Sequence, residues 1–231
     1  MRKESITLRI IIIAAITIIL LIPLFMIQSL IDERQTYRNE AVREVSKGWA
    51  GSQTISGPVL NVDYTKEFKD KDGKILISSS QVNLLPETLN YDVEIFPEKR
   101  YRGIYEVILY RAKIKMNGRF NTNELIKSLE NKKIDDIYVS FNLSDLRGMQ
   151  KESQLRWNDK DYNLAAGLHS QRVLKNGFNS NVPIELDKND YVFKIELMIN
   201  GLDYLEFLPI GKTTNVSVKS NWNTPSFAGA F

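Results

Sequence analysis

The chain is 231 residues long, contains no cysteine and has a single histidine, His169. Without thiols it has no disulfide, thiolate metal site, iron–sulfur cluster or cysteine nucleophile. One imidazole cannot supply a His-pair metal site or a histidine-rich acid/base centre. Charge of one sign is also scarce: 31 Lys+Arg against 28 Asp+Glu leave +3, too little to imply a nucleic-acid partner. Disorder is excluded as the main state, because 43% apolar and 26% charged residues are the proportions of a folded chain. A chain of this size buries a real core and suits one domain, or one domain with an appendage.

That average hides two unlike parts. From Ile10 to Ile31 run 22 residues without a charge, almost wholly aliphatic at the centre. As a helix this run spans roughly 33 Å, enough for a hydrocarbon core of ~30 Å. Pro23 is tolerable inside such a helix. A cleaved secretory signal is the rival reading, since Arg2, Lys3 and Arg9 form a positive leader. The run is too long for a signal core, and no small-x-small site follows it, so an uncleaved anchor is expected. Lys and Arg are almost evenly placed about the span, with Arg34, Arg38, Arg43 and Lys47 following it. The positive-inside rule therefore leans only slightly to a cytoplasmic N-terminus. Beyond the span, Tyr37, Ala41, Val42, Val45 and Trp49 recur close to helical spacing, which predicts a helix to about Lys47 that docks on its own domain. Gly48 is the stop signal.

After Gly57-Pro58 the pattern changes to alternation. Leu89, Tyr91, Val93 and Ile95 alternate with polar residues, as do Ile108 to Met116, Ile137 to Leu143 and Tyr191 to Ile199, with Val216, Val218 and Trp222 closing the series. Period two means strands with one wet face. Asp72-Gly73, Asn117-Gly118, Asn158-Asp159, Asn176-Gly177 and Asn200-Gly201 are read as turns between them. One short helix is expected after Asn121, with Glu124 at its third position and Leu125, Ile126 and Leu129 facing inward. The fold class is thus mainly β: a transmembrane helix with a juxtamembrane extension, then an antiparallel, sandwich-like domain with one short helix. The expected divisions are a tail at 1–9, the span at 10–31, helix and linker at 32–57, and the β domain at 58–231. Beyond residue 31 the chain carries 28 basic and 27 acidic side chains, a nearly neutral domain.

No set of residues forms a recognisable catalytic pattern. Gly211-Lys212-Thr213-Thr214 resembles the tail of a phosphate loop, but Glu206 stands where that loop needs glycine, so a hairpin turn is the expectation. Asp159, Asp161 and Asn163 have the alternate spacing of a calcium loop, yet Leu164 and Ser170 replace its glycine and glutamate. His169 lacks a nucleophile elbow to serve. Asp135-Asp136 and the scattered glutamates are read as solvated carboxylates; a converging pair would instead suit a hydrolase. No cofactor and no metal are expected.

Six ordered segments carry one resemblance: LLIPLFMIQSLIDERQTYR, SGPVLNV, LPE at 85–87, YRGIYEVILYRAKIKMNGRF, SDLRG, and EFLPIGKTTNVSVKSNWNTPSFAGAF. Together they resemble the CreD family, inner-membrane proteins of cell-envelope integrity in Gram-negative bacteria. The most specific positions are Arg102, Gly103, Tyr105 and Glu106, then Trp222, Pro225, Ser226, Phe227 and Gly229. The resemblance implies a cytoplasmic N-terminus, a periplasmic β domain and several later membrane helices, with a role in envelope stress and in responses to wall-active antibiotics. It supplies no catalytic residues. Family members are about twice as long, so this chain is read as the front part of a longer product, leaving a strand edge open near Val216 to Phe231.

The expected function is noncatalytic: a membrane-anchored envelope protein whose β domain scaffolds, senses or binds a partner. The alternative is an envelope hydrolase using paired carboxylates on a wall or lipid substrate. Expected partners are bilayer lipid around the anchor, the later membrane helices and an envelope protein, with no nucleic acid. Gly103 is expected to supply a special backbone angle, and Trp222 and Phe227 to be core.

Overall fold

The computed structural model describes residues 6–69, 74–150, 153–167, 176–185, 188–223 and 225–229. A long helix, α1 (Ile6–Lys47), opens the chain. At 1.5 Å per residue it is about 63 Å long, twice a hydrocarbon core. Its apolar first half is exposed on every side, as a segment that finds no protein partner must be.

The strands follow: β1 (Gln53–Lys69), β2 (Ile75–Leu84), β3 (Thr88–Arg102) and β4 (Tyr105–Asn121). After α2 (Asn123–Leu129) come β5 (Lys133–Leu143), a 3-10 turn at Leu146–Gly148, β6 (Gln154–Trp157), β7 (Lys160–Asn163) and β8 (Ala165–Ala166). The series closes with β9 (Phe178–Asn181), β10 (Asp190–Leu202), β11 (Leu205–Phe207) and β12 (Thr213–Ser220). They form two sheets. One has the order β11-β1-β5-β9-β8, with β2 also paired to β1; the other is β12-β3-β4-β10-β6-β7.

The core lies between the sheets. Ile55, Leu60, Val62, Val139, Phe141 and Leu143 of the first sheet share one cluster with Leu89, Tyr91, Ile114, Met116, Phe193 and Ile195 of the second. Alternation in the sequence maps directly onto this: Tyr191, Phe193, Ile195, Leu197 and Ile199 are all buried, while Lys194 and Glu196 stay wet. The architecture is the expected mainly-β one, with two departures. Strand β11 runs parallel to β1, and β12 runs parallel to β3. The chain therefore switches sheets between β11 and β12, and Gly211-Lys212 leads into a parallel edge strand rather than closing a hairpin. The first strand also begins at Gln53, ahead of the expected boundary at Gly57-Pro58.

Two turn expectations are corrected. Asn117-Gly118 lies inside β4 and Asn200-Gly201 inside β10. The glycines there mark close approach: a Cβ on Gly118 would strike the Thr88 carbonyl, and one on Gly201 the Tyr110 ring. Asn158-Asp159 does turn the chain between β6 and β7, whereas Asp72-Gly73 lies outside the described residues. Thr122, not Asn121, is the N-cap of α2, although Asn121 Oδ1 accepts from the Asn123 N–H at 3.2 Å. Leu125 and Leu129 are buried as expected, with Ile126 half-buried.

Candidate functional site: the junction of anchor helix and domain

The charged half of α1 lies along the outer face of the second sheet. Ala112, Ile114 and Met116 of β4 face the core, so Val107 and Leu109, in odd register, face away from it. They would be wet but for α1. Val107, Leu109 and Leu202 form a second buried cluster, capped by Val42, Val45 and Trp49. The Trp49 indole donates toward the carbonyls of Gly201 (3.2 Å) and Tyr110 (3.4 Å), and the Arg100 guanidinium lies over its ring at 5.4 Å. The juxtamembrane stripe docks on its own domain.

The turn between β3 and β4 meets the helix lower down. Gly103 takes φ +60° there, with open space where a Cβ would sit. It is the backbone angle that requires glycine, and a side chain would cost about 1–2 kcal/mol. The Arg102 Nε donates to Glu44 Oε2 at 2.6 Å, and this bond holds the Glu44 carboxyl below its ordinary range. Tyr37, Glu40, Ala41 and Glu44 of the helix face Arg102 to Tyr105 across an open hollow of about 540 Å³. Tyr37 is shifted upward, chiefly by its hydrogen bond to Glu33, with Tyr105 close enough to add to the effect. Glu106 is held by Lys99 Nζ at 2.7 Å and by the Tyr101 hydroxyl at 3.2 Å, and the Lys99 bond lowers its pKa. All these ion pairs are wet. They set register more than they stabilise.

A third segment ties the linker after α1. Asp145 accepts from the Gly51 N–H at 2.9 Å and pairs with Arg147 through both oxygens, at 2.9 and 2.6 Å. The Arg147 hydrogen bonds, reinforced by the Gly51 and Arg147 amides, lower Asp145 to about 2. Gln53, fully buried, donates to the carbonyls of Asp145 and Asn200 and accepts from the Asp145 N–H. Gly148 sits so tightly against Gln53 and the Asn200 carbonyl that no Cβ fits. Asn200 is itself buried, with its side-chain oxygen meeting no protein donor.

The last segment arrives from β12. Its parallel register on β3 carries the chain toward the same turn, and Lys99 Nζ lies 5.3 Å over the Trp222 ring. Lys99 thus joins Trp222 to Glu106. Trp222 is half-buried and not core, and Phe227 is 79% exposed, which corrects the expectation for both. Pro225, Ser226, Phe227 and Gly229 run as exposed chain beyond the last strand. Of the predicted positions, Arg102, Gly103, Tyr105, Glu106 and Trp222 are therefore brought together. Sequence reasoning missed Glu44 and Lys99, the partners of Arg102 and Glu106, and Gln53, the partner of Asp145. One signal was available: Val107 and Leu109 make that stretch apolar on both faces, the pattern of a strand covered twice.

The other candidates do not converge. Asp135 and Asp136 are successive residues of β5 held by different partners, with a break in the pairing register to β1 at this point. The Thr65 hydroxyl donates to Asp135 and the Asn181 amide to Asp136. Asp161 is paired with Arg156 at 2.9 and 3.1 Å across the β6–β7 hairpin. His169 lies outside the described residues. Among the described residues no cluster of three or more His, Asp or Glu has the spacing of a metal site.

Residues 5–231 match the family described as inner membrane protein CreD. The chain is 23% identical over 221 residues to inner membrane protein CreD of Escherichia coli (strain K12), covering 93% of this chain and 48% of that protein. It spans about half the length of that relative. No solved structure matches it. The match along nearly the whole chain, together with the long apolar N-terminal helix, establishes the assignment: this chain belongs to the CreD family of inner membrane proteins, with an N-terminal membrane-crossing helix followed by a β-rich domain.

Proposed function

We propose that this chain is the anchor and exported domain of an envelope-integrity protein that works by binding and positioning, without catalysis. The N-terminus is cytoplasmic and the β domain periplasmic. One observation carries this reading. The segments Arg102–Glu106 and Ser144–Gly148 fasten the domain to the chain that follows the span, Arg102 through Glu44 of α1 and Asp145 through the Gly51 amide of the linker, while Trp222 packs on Lys99 of the same hairpin. An enzyme would concentrate its most distinctive residues around a substrate cleft; here they surround a mechanical joint. Coupling of that kind suits a protein that senses or scaffolds at the membrane and passes the position of its domain to later membrane segments.

A charge exchange tests the reading in the full-length gene product, scored by growth under wall-active antibiotics. Glu44→Arg and Arg102→Glu are each expected to impair function, and the double exchange to restore it. Neutralising Asp135, Asp136 or Asp161 is expected to leave function intact. Loss of function from one of those three in a protein that still folds and inserts would favour the hydrolase reading instead.

A further inference from the structure

The β3–β4 hairpin is aimed back along the anchor helix. Tyr37 and Glu40 face Ile104 and Tyr105, Glu44 holds Arg102, Val42 and Val45 cover Val107 and Leu109, and Trp49 reaches Tyr110. Moving along α1 away from the span thus moves along β4 away from its turn. The turn is the end of the hairpin nearest the bilayer. Tyr37 stands only six residues past Ile31, roughly 9 Å of helix. The headgroup layer takes up about 5–7 Å of that distance, and a helix tilt of about 20° shortens it further.

The composition of the turn fits that neighbour. Ile104 at its apex is 77% exposed and Tyr101 is 67% exposed, beside Arg102 and the half-buried Tyr105. A branched aliphatic side chain at the tip of a hairpin does nothing for its own core. Between two tyrosines and an arginine, whose amphipathic side chains favour the membrane–water boundary, it forms a small interfacial wedge. The hairpin's own cations are each matched within the protein, Lys99 by Glu106, Arg100 by Glu98 and Arg102 by Glu44, so the contact the turn itself offers is apolar insertion rather than attraction to anionic lipid.

We propose that the turn Tyr101–Tyr105 seats Ile104 in the headgroup layer of the same bilayer that α1 crosses, giving the domain a second membrane contact that fixes its tilt. This rests on α1 being an uncleaved span. The absence of cysteine makes the test direct. An environment-sensitive fluorophore is attached to Ile104→Cys, Lys160→Cys or Ile19→Cys, one site per protein, and each is placed in nanodiscs of phosphatidylcholine carrying nitroxide on shallow or deep carbons. Lys160 sits at the exposed β6–β7 hairpin, where Trp157 pairs with Phe193 near the opposite end of the sheet. The probe at 104 is expected to be quenched severalfold more by shallow nitroxide than the probe at 160. Equal quenching at 104 and 160 would overturn the proposal. So would shielding of 104 from aqueous quencher without lipid quenching, which would mean a protein cover such as a second copy. A probe at 19 that deep nitroxide does not reach would instead remove the anchor, and this contact with it.

Discussion

Asp145 fastens the linker after α1 to the domain. Its carboxylate closes the Ser144–Gly148 loop onto Arg147 and receives the Gly51 amide of the linker. Its folded pKa of about 2 lies below the ordinary range of an aspartate, so the charged form is the one the fold favours. Its contribution is complete above about pH 4 and fades as the pH falls through the folded value. Arg147 is solvent-exposed, which screens the pair, and the contribution at neutral pH is about 1 kcal/mol. Asp145→Asn is therefore expected to lower stability by that order at pH 7, measured by urea unfolding, and to approach the unmutated protein near pH 2. At this scale the sequence was partly legible. Gly103 was readable as a special backbone angle, and its φ of +60° is one. The partners were not readable, because Glu44 and Arg102 lie 58 positions apart and nothing local joins them.

At the scale of elements, the strongest signals were periodic. The apolar stripe from Tyr37 to Trp49 gave a helix that docks, and the alternating runs gave the strands. Asn-Gly pairs misled, because the same dipeptide serves a tight turn and a crowded strand. Only the tertiary neighbours of Gly118 and Gly201, the Thr88 carbonyl and the Tyr110 ring, tell the two apart. Parallel β12 was equally hidden, since alternation is the same in either direction. The docked stripe makes its own prediction. Trp49→Ala removes half-buried ring area, the Arg100 stacking and two weak hydrogen bonds, and is expected to cost about 2 kcal/mol. Protease cleavage in the linker between Lys47 and Gln53 should rise in parallel.

For the whole molecule, both ends of the described domain come out beside the same hairpin. The linker enters at Gly51 beneath α1, and the chain leaves β12 at Trp222 against Lys99. The chain spans about half the length of its Escherichia coli relative. The central claim is that helix and domain move as one body. It is tested most directly by electron–electron distance measurement between nitroxides at Arg38→Cys on α1 and Glu94→Cys on β3, in nanodiscs. A single narrow distance distribution that broadens in Arg102→Glu is predicted. A broad distribution in the otherwise unmutated protein would contradict the account.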